Sequence, residues 1–209
     1  MKSRYNNQKH AEFGGKRMQY DKRQIAQKLV RWERFMNEFR LPGWEELPKI
    51  ELYMDQVIGL ITQYLGFFVF DLSEEKLLTP SMVNNYVKMK LLPAPQKKKY
   101  GRKHIALLIM ICTFKQSLSM AAVEQMLPPD DEDAIRADYE RFIASHKRLA
   151  LYFIQQVRSV ADPIYNEQIE TGTEVNDLVV GAAIASSFTR LLAGKIIALK
   201  LPEDAETIE

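Results

Sequence analysis

A single cysteine, Cys112, in a chain of 209 residues rules out an intrachain disulfide and suits a reducing compartment. Histidine is almost as scarce. His10, His104 and His146 fall in different segments, with no cysteine or carboxylate at metal-ligand spacing, so no metal centre is expected. No Gly-rich phosphate loop and no nucleophile–base arrangement stands out, which places an enzyme behind a binding protein and gives no reason to expect a cofactor. Charge of one sign is missing too: the formal net charge is +2, too small to mark a nucleic-acid binder by itself. Nor is there a long uncharged run. Near the C-terminus the longest, Leu178 to Thr189, falls well short of the roughly 20 residues that span a bilayer, and the N-terminal residues are too polar for a secretory signal. A soluble, cytoplasmic protein without a membrane role is the expectation.

What is present is ordinary for a folded chain, 46% hydrophobic and 27% charged, with the charges unevenly placed. Seven basic residues lie within the first 23 positions, a second basic group follows residue 87, and acids gather at 130–133 and at the C-terminus. Residues 1–20 have little apolar periodicity and read as a disordered basic arm. Asp21 with Gln24 predicts a capped helix whose Ile25, Leu29, Trp32, Met36 and Phe39 share one face until Leu41-Pro42-Gly43 stops it. A second helix is predicted from about Leu52 to Leu65, and the run from Phe67 to Phe70 suits either a short strand or a buried connector. Arg102 to Lys115 is apolar nearly all round, as a central core helix would be, and Ser119 caps a short helix to Leu127. From Asp131 to about Ala161 one long helix is predicted, closed by Pro163. Its Ile135, Tyr139, Phe142, His146, Leu149 and Phe153 form a heptad-like seam on a rod roughly 45 Å long, and such a seam wants a partner helix. The last helix, about Val175 to Lys200, is rich in small residues. The division that follows is an arm over 1–20, a unit over 21–127 and a helical C-terminal region over 128–209.

The informative stretch is Leu78 to Leu127. Thr79-Pro80 is a strong helix start, because the threonine side chain can accept a backbone N–H and proline at the first position forfeits no hydrogen bond. The helix carries Ser81 to Met89. With Met82, Val83 and Tyr86 turned inward, Ser81, Asn84, Asn85 and Lys88 remain outside, and asparagine suits bidentate pairing with adenine in the major groove. Lys90 follows, and then Lys97, Lys98, Lys99, Arg102 and Lys103 with interleaved Tyr100 make a cationic patch suited to phosphates. Lysine runs are usually solvated surface, and the two asparagines read equally well as solvent-facing positions. The helix-turn context tips both toward DNA.

The order LTPSMVNNYVKMKLLPAPQKKKYGRKHIALLIMICTFKQSLSMAAVEQML resembles the DNA-binding head of mercury-resistance (MerR-type) regulators. The resemblance implies a winged helix-turn-helix, with Thr79 to Met89 as recognition helix, Gln96 to Tyr100 as wing and Arg102 to Leu127 as the following helix pair. Two departures stand out: Asn84-Asn85 replaces the usual Arg-Tyr pair, and thirteen residues separate Leu65 from Thr79, unless Ser73 to Lys76 forms a stub of first helix. From Leu47 to Leu127 the chain resembles more closely a bacterial family of unknown function, DUF1836, through LPKIELYMDQVIGLITQYL and LTPSMVNNYVKMKLLPAPQKKKYGR. Together these readings predict an all-α protein with a winged helix-turn-helix core. Its expected role is transcription regulation by binding double-stranded DNA, as a homodimer joined through C-terminal helices. The alternative is a helical adaptor that turns its basic face to a protein or to RNA. No effector ligand is legible; Tyr139, Phe142, Tyr152 and Phe153 could line a pocket, but aromatic residues at helical spacing are more often core.

Overall fold

The computed structural model describes residues 21–68, 76–166 and 173–199. Within them the chain is mostly helical. Helix α1 (Lys22–Glu38) starts where Asp21 accepts the Gln24 N–H at 3.1 Å. It ends at Phe39, three residues short of Pro42, and a 3-10 turn (Trp44–Glu46) follows, which no sequence signal announces. That turn is held by Glu46, which accepts the Gly43 N–H at 2.8 Å, and by Glu140, which accepts the Trp44 N–H at 2.9 Å. Next come strand β1 (Leu52–Tyr53), helix α2 (Met54–Leu65) and a second 3-10 turn (Gly66–Phe68). Helix α3 (Pro80–Lys88), strand β2 (Lys99–Tyr100), helix α4 (Arg102–Phe114) and the short helix α5 (Met120–Glu124) complete the middle of the chain. The long helix α6 (Glu132–Val160), the single turn α7 (Asp162–Tyr165) and helix α8 (Thr173–Ala198) end it.

One predicted boundary moves. Leu52 and Tyr53 do not open the second helix; they pair antiparallel with Tyr100 and Lys99. A two-stranded ribbon therefore joins the approach to α2 with the segment before α4. The expected arm over 1–20, Val69-Phe70 and the suggested helix stub at Ser73 to Lys76 fall outside the described residues, except for Lys76, which is not helical.

Helix α4 is the centre, as its all-round apolarity predicts. Ile105 to Cys112 are all buried, because α2 packs on one side and α6 on the other. Each fully buried large side chain here contributes about 1.5–3 kcal/mol. Burial also pushes the Cys112 thiol up to about 11, so it stays protonated and unreactive at neutral pH. The same core includes Trp44, Leu47, Val83, Tyr86, Leu91 and Leu92, and it reaches into α6 through Ile135 and Tyr139. It therefore does not break at the expected boundary between 127 and 128. Tyr139 donates its hydroxyl to the Pro42 carbonyl at 2.7 Å, tying α6 to the residues that follow α1.

The first half of the seam on α6 is covered within the chain, and not by the last helix. Helices α4 and α1 lie against α6, and α8 touches mainly α7. Only the first half of the seam is inside: Ile135 and Tyr139 are buried and Phe142 and His146 half-buried, whereas Leu149 is 59% exposed and Phe153 48%. The reason is a change of neighbours: the main core ends on α6 at Ile143, and farther along Ala150, Ile154, Val157 and Ala161, on a different side of the helix from Leu149 and Phe153, turn inward toward α1 and α7.

By length and composition the helix Val175–Ala198 could cross a membrane, a reach that the uncharged run from Leu178 to Thr189 alone does not show, and from Val179 to Leu192 it is exposed.

Candidate nucleic-acid interface

Helix α3 is built as its sequence dictates. Thr79 Oγ1 accepts the Met82 N–H at 3.2 Å, Pro80 occupies the first turn, Val83 and Tyr86 are buried and Met82 is half-buried. Ser81, Asn84, Asn85 and Lys88 face solvent and, with Thr79 and Met82, line a shallow depression of about 510 Å³. Asn85 makes one weak contact, Nδ2 to Met89 Sδ at 3.6 Å, and Asn84 has no hydrogen bond among the described residues.

Beyond α3 the backbone closes in a Schellman motif: the Leu91 N–H reaches the Tyr86 carbonyl at 2.9 Å and the Lys90 N–H the Val87 carbonyl at 3.1 Å. The position between them must be left-handed. Glycine usually supplies it; here Lys90 does, at φ 60°. Leu91 and Leu92 then plug into the core and fix the exit direction. A tight turn follows, in which the Lys99 N–H donates to the Gln96 carbonyl at 2.8 Å, while Lys97 and Lys98 sit at φ 47° and 64°. Two consecutive left-handed residues are the signature of a type I′ hairpin turn, normally built from Asn-Gly or Gly-Gly. Among the described residues these three lysines are the only non-glycine residues at positive φ.

Lys99 lies in β2, its Nζ 5.4 Å from the centre of the Tyr53 ring on the paired strand. Such an exposed cation–π contact contributes about 0.5–1 kcal/mol and holds the ammonium over the hairpin. Tyr53 was not foreseen as part of this surface.

Three of the predicted residues behave differently. Tyr100 is 3% exposed and packs edge-on against His104, at 5.5 Å between ring centres, so it belongs to the core and not to the cationic face. Arg102 lies over the Trp44 ring at 5.6 Å and pairs with Glu45 at 3.4 Å, and Lys103 pairs with Asp130 at 2.8 Å. Their charge is largely balanced locally. Of the predicted cationic residues, Lys88, Lys90, Lys97, Lys98 and Lys99 form no ion pair among the described residues, and these define the candidate cationic surface.

His104 anchors the hairpin to α4 by accepting the Gly101 N–H on Nδ1 at 3.0 Å. Burial, reinforced by neighbouring Lys103, holds its pKa below the ordinary 6.5, so it is neutral at physiological pH. Among the described residues no group of three or more His, Cys, Asp or Glu is placed to hold a metal ion.

The surface and the core beneath it fall within a single family match: the model for a domain of unknown function (DUF1836) covers residues 42–148. The chain belongs to the DUF1836 family. No curated protein and no solved structure matches it. The DUF1836 region begins at Pro42, just ahead of the Trp44 turn, and ends within α6, so it takes in the whole candidate interface and almost all of the main core. Helices α1, α7 and α8 lie outside it.

Proposed function

We propose that this DUF1836 protein is a cytoplasmic DNA-binding regulator, not an enzyme, that reads duplex DNA through a winged helix-turn-helix of the mercury-resistance type. In this reading α2 is the supporting helix, α3 enters the major groove and the Gln96–Lys99 hairpin is the wing on the flanking phosphates. One observation carries it: a short capped helix with Ser81, Asn84, Asn85 and Lys88 on its open face is followed directly by a hairpin whose lysines take conformations that lysine disfavours. Left-handed backbone costs an L-residue about 1–2 kcal/mol, so lysine at such positions points to a use for the ammonium groups.

Salt dependence tests the reading. Each phosphate contact steepens the fall of log affinity with log salt by about 0.9. Replacing Lys97, Lys98 and Lys99 together by alanine should lower affinity for every duplex alike and flatten that slope by roughly 2–3 units, because phosphate contacts position without specifying. Replacing Asn84 and Asn85 should instead alter the site selected from a random duplex pool. An unchanged slope in the first variant and an unchanged preferred site in the second would overturn the proposal. Preference for single-stranded RNA, or for no nucleic acid, would favour the adaptor reading.

A further inference from the structure

Positive charge is concentrated at the start of the chain. Residues 1–40 carry eleven Lys and Arg against four Asp and Glu, so they hold +7 in a chain whose formal net charge is +2, and the remaining residues sum to −5. Helix α1 shows where part of that charge goes. Its apolar stripe is occupied: Ile25 and Leu29 pack against Ala161, Ile164 and Val175, and the Trp32 ring meets Phe153 edge-on at 6.0 Å between centres. The opposite face is open to water. It carries Arg23, Lys28, Arg31 and Arg34, all exposed and none in an ion pair among the described residues. The acids of the helix do not offset them: Glu33 pairs with Arg158 at 3.3 Å, and Glu38 stands at the last position.

This arrangement works against the helix that carries it. Lys28, Arg31 and Arg34 step by three, so each like charge neighbours the next, and no acid occupies the first turn, where the helix dipole favours one. A partner of opposite charge relieves both. We infer that the outward face of α1 is a second phosphate-binding surface, which grips duplex DNA separately from α3 and the hairpin. This rests on the reading of the chain as a DNA-binding protein, and it adds a contact from outside the DUF1836 region, which begins at Pro42. From Arg23 to Arg34 the row spans about 17 Å at 1.5 Å per residue, while a duplex presents a phosphate about every 1.7 Å along its axis, so several phosphates lie within reach. Three of the four cations are arginines, whose planar fork takes two oxygens of one phosphate. Exposed Gln24 and Gln27 lie among them, and such amides also donate to phosphate oxygens. The face therefore supplies affinity and not sequence preference. An anionic membrane suits it less. Lying in a bilayer surface takes a free apolar face, and on α1 that face is already packed, leaving Val30 and Phe35 as its exposed large apolar side chains.

Binding of the full chain to one duplex of random sequence over a salt series tests this. Arg23→Gln, Lys28→Gln, Arg31→Gln and Arg34→Gln together should flatten the slope of log affinity against log salt by roughly 2–4 units and lower affinity about tenfold or more at low salt. The site selected from a random duplex pool should stay the same. Arg31→Gln alone should remove about 0.9 of a unit. Arg23→Lys, Arg31→Lys and Arg34→Lys together keep the charge and should keep the slope, which separates a phosphate contact from a role in packing. Glutamine has nearly the helix propensity of arginine and lysine, and circular dichroism with a urea midpoint checks that each variant keeps its fold. An unchanged slope in both Gln variants, with the hairpin lysines still needed, would overturn the inference and leave the proposed function standing. A slope flattened by the α1 changes in a chain indifferent to changes at Asn84, Asn85 and the hairpin lysines would do the reverse. A chain that binds no duplex would overturn both. A chain that floats with phosphatidylglycerol vesicles through these four residues, its DNA slope unmoved by them, would assign α1 to lipid and overturn the inference.

Discussion

Lys90, Lys97 and Lys98 separate stability from function, because the conformation that strains them is one that glycine adopts freely. Lys97→Gly, Lys98→Gly and Lys90→Gly should each leave the protein as stable as before or raise its unfolding free energy by up to about 1 kcal/mol, after the added backbone entropy of glycine in the unfolded chain. The same changes should weaken DNA binding. Urea unfolding and a fluorescence anisotropy titration on the same samples measure both, and a loss of stability together with unchanged binding would show that the lysines serve the turn and not a ligand. The histidines give a second prediction. His104 and His146, the latter between Phe39 and Phe142, are both held below their ordinary pKa, chiefly by burial. The unfolded chain thus binds more protons than the folded one between the folded values and about 6.5. Stability should be full above pH 6.5 and fall as the pH drops through that window, at no more than about 1.4 kcal/mol per pH unit for each histidine. His104→Gln keeps an acceptor for the Gly101 N–H and should make the decline shallower in urea unfolding at about pH 7.5, 6.5 and 5.5, values that bracket the ordinary histidine pKa. A wild type equally stable at all three would refute the assignment.

Helix α3 shows what a sequence states openly. Its cap, its proline and the spacing of Met82, Val83 and Tyr86 are local, and the structure puts the same residues inside and the same polar ones outside. Thr79→Ala should therefore cost about 1 kcal/mol through loss of the bond to the Met82 N–H, seen as a lower urea midpoint at unchanged slope; no change would mean that Pro80 alone fixes the start. The elements that escaped depend on distant partners. Strand β1 is two residues long and exists because Tyr100 and Lys99 lie alongside it. The Trp44 turn is completed by Glu140, and its ring packs against Tyr139, at 6.3 Å between centres. Lysine is a poor left-handed residue, so no local preference marks the Lys97-Lys98 turn; the pairing of β2 and the burial of Leu91 and Leu92 impose it. The basic run and its neighbour Tyr100 are plain in the sequence, but whether the aromatic ring there points in or out is decided by β1, a strand far earlier in the chain. On α6 the apolar stripe was legible but the point at which the main core ends beneath it was not, which is why Leu149 and Phe153 emerge on the outside.

At the scale of the whole molecule the two apolar clusters are unequal. The large one runs from Leu41 to Tyr139, while the small one joins Ala161, Ile164 and Val175, with Ile25, Leu29 and Val157 packed against it. Helix α8 enters only the small cluster, through Val175 and half-buried Leu178. A chain ending at Asn166 should therefore keep the main core and the candidate interface, with a thermal midpoint lower by no more than about 10 °C, since exposing one or two apolar side chains costs roughly 1–3 kcal/mol in a protein of this size. If α8 joins two copies, the shortened chain should sediment as a monomer. Dimeric readers of DNA set their recognition helices about 34 Å apart or a multiple of it, so the full chain should prefer a duplex carrying two inverted half-sites over one carrying a single half-site. The shortened chain should lose that preference and bind both duplexes with the weaker, single-site affinity. Sedimentation and paired anisotropy titrations on the two duplexes read these outcomes separately. A shortened chain that unfolds would make α8 part of the core. A shortened chain that still dimerises would move the contact to Leu149, Tyr152 and Phe153 of α6, another apolar surface exposed to water.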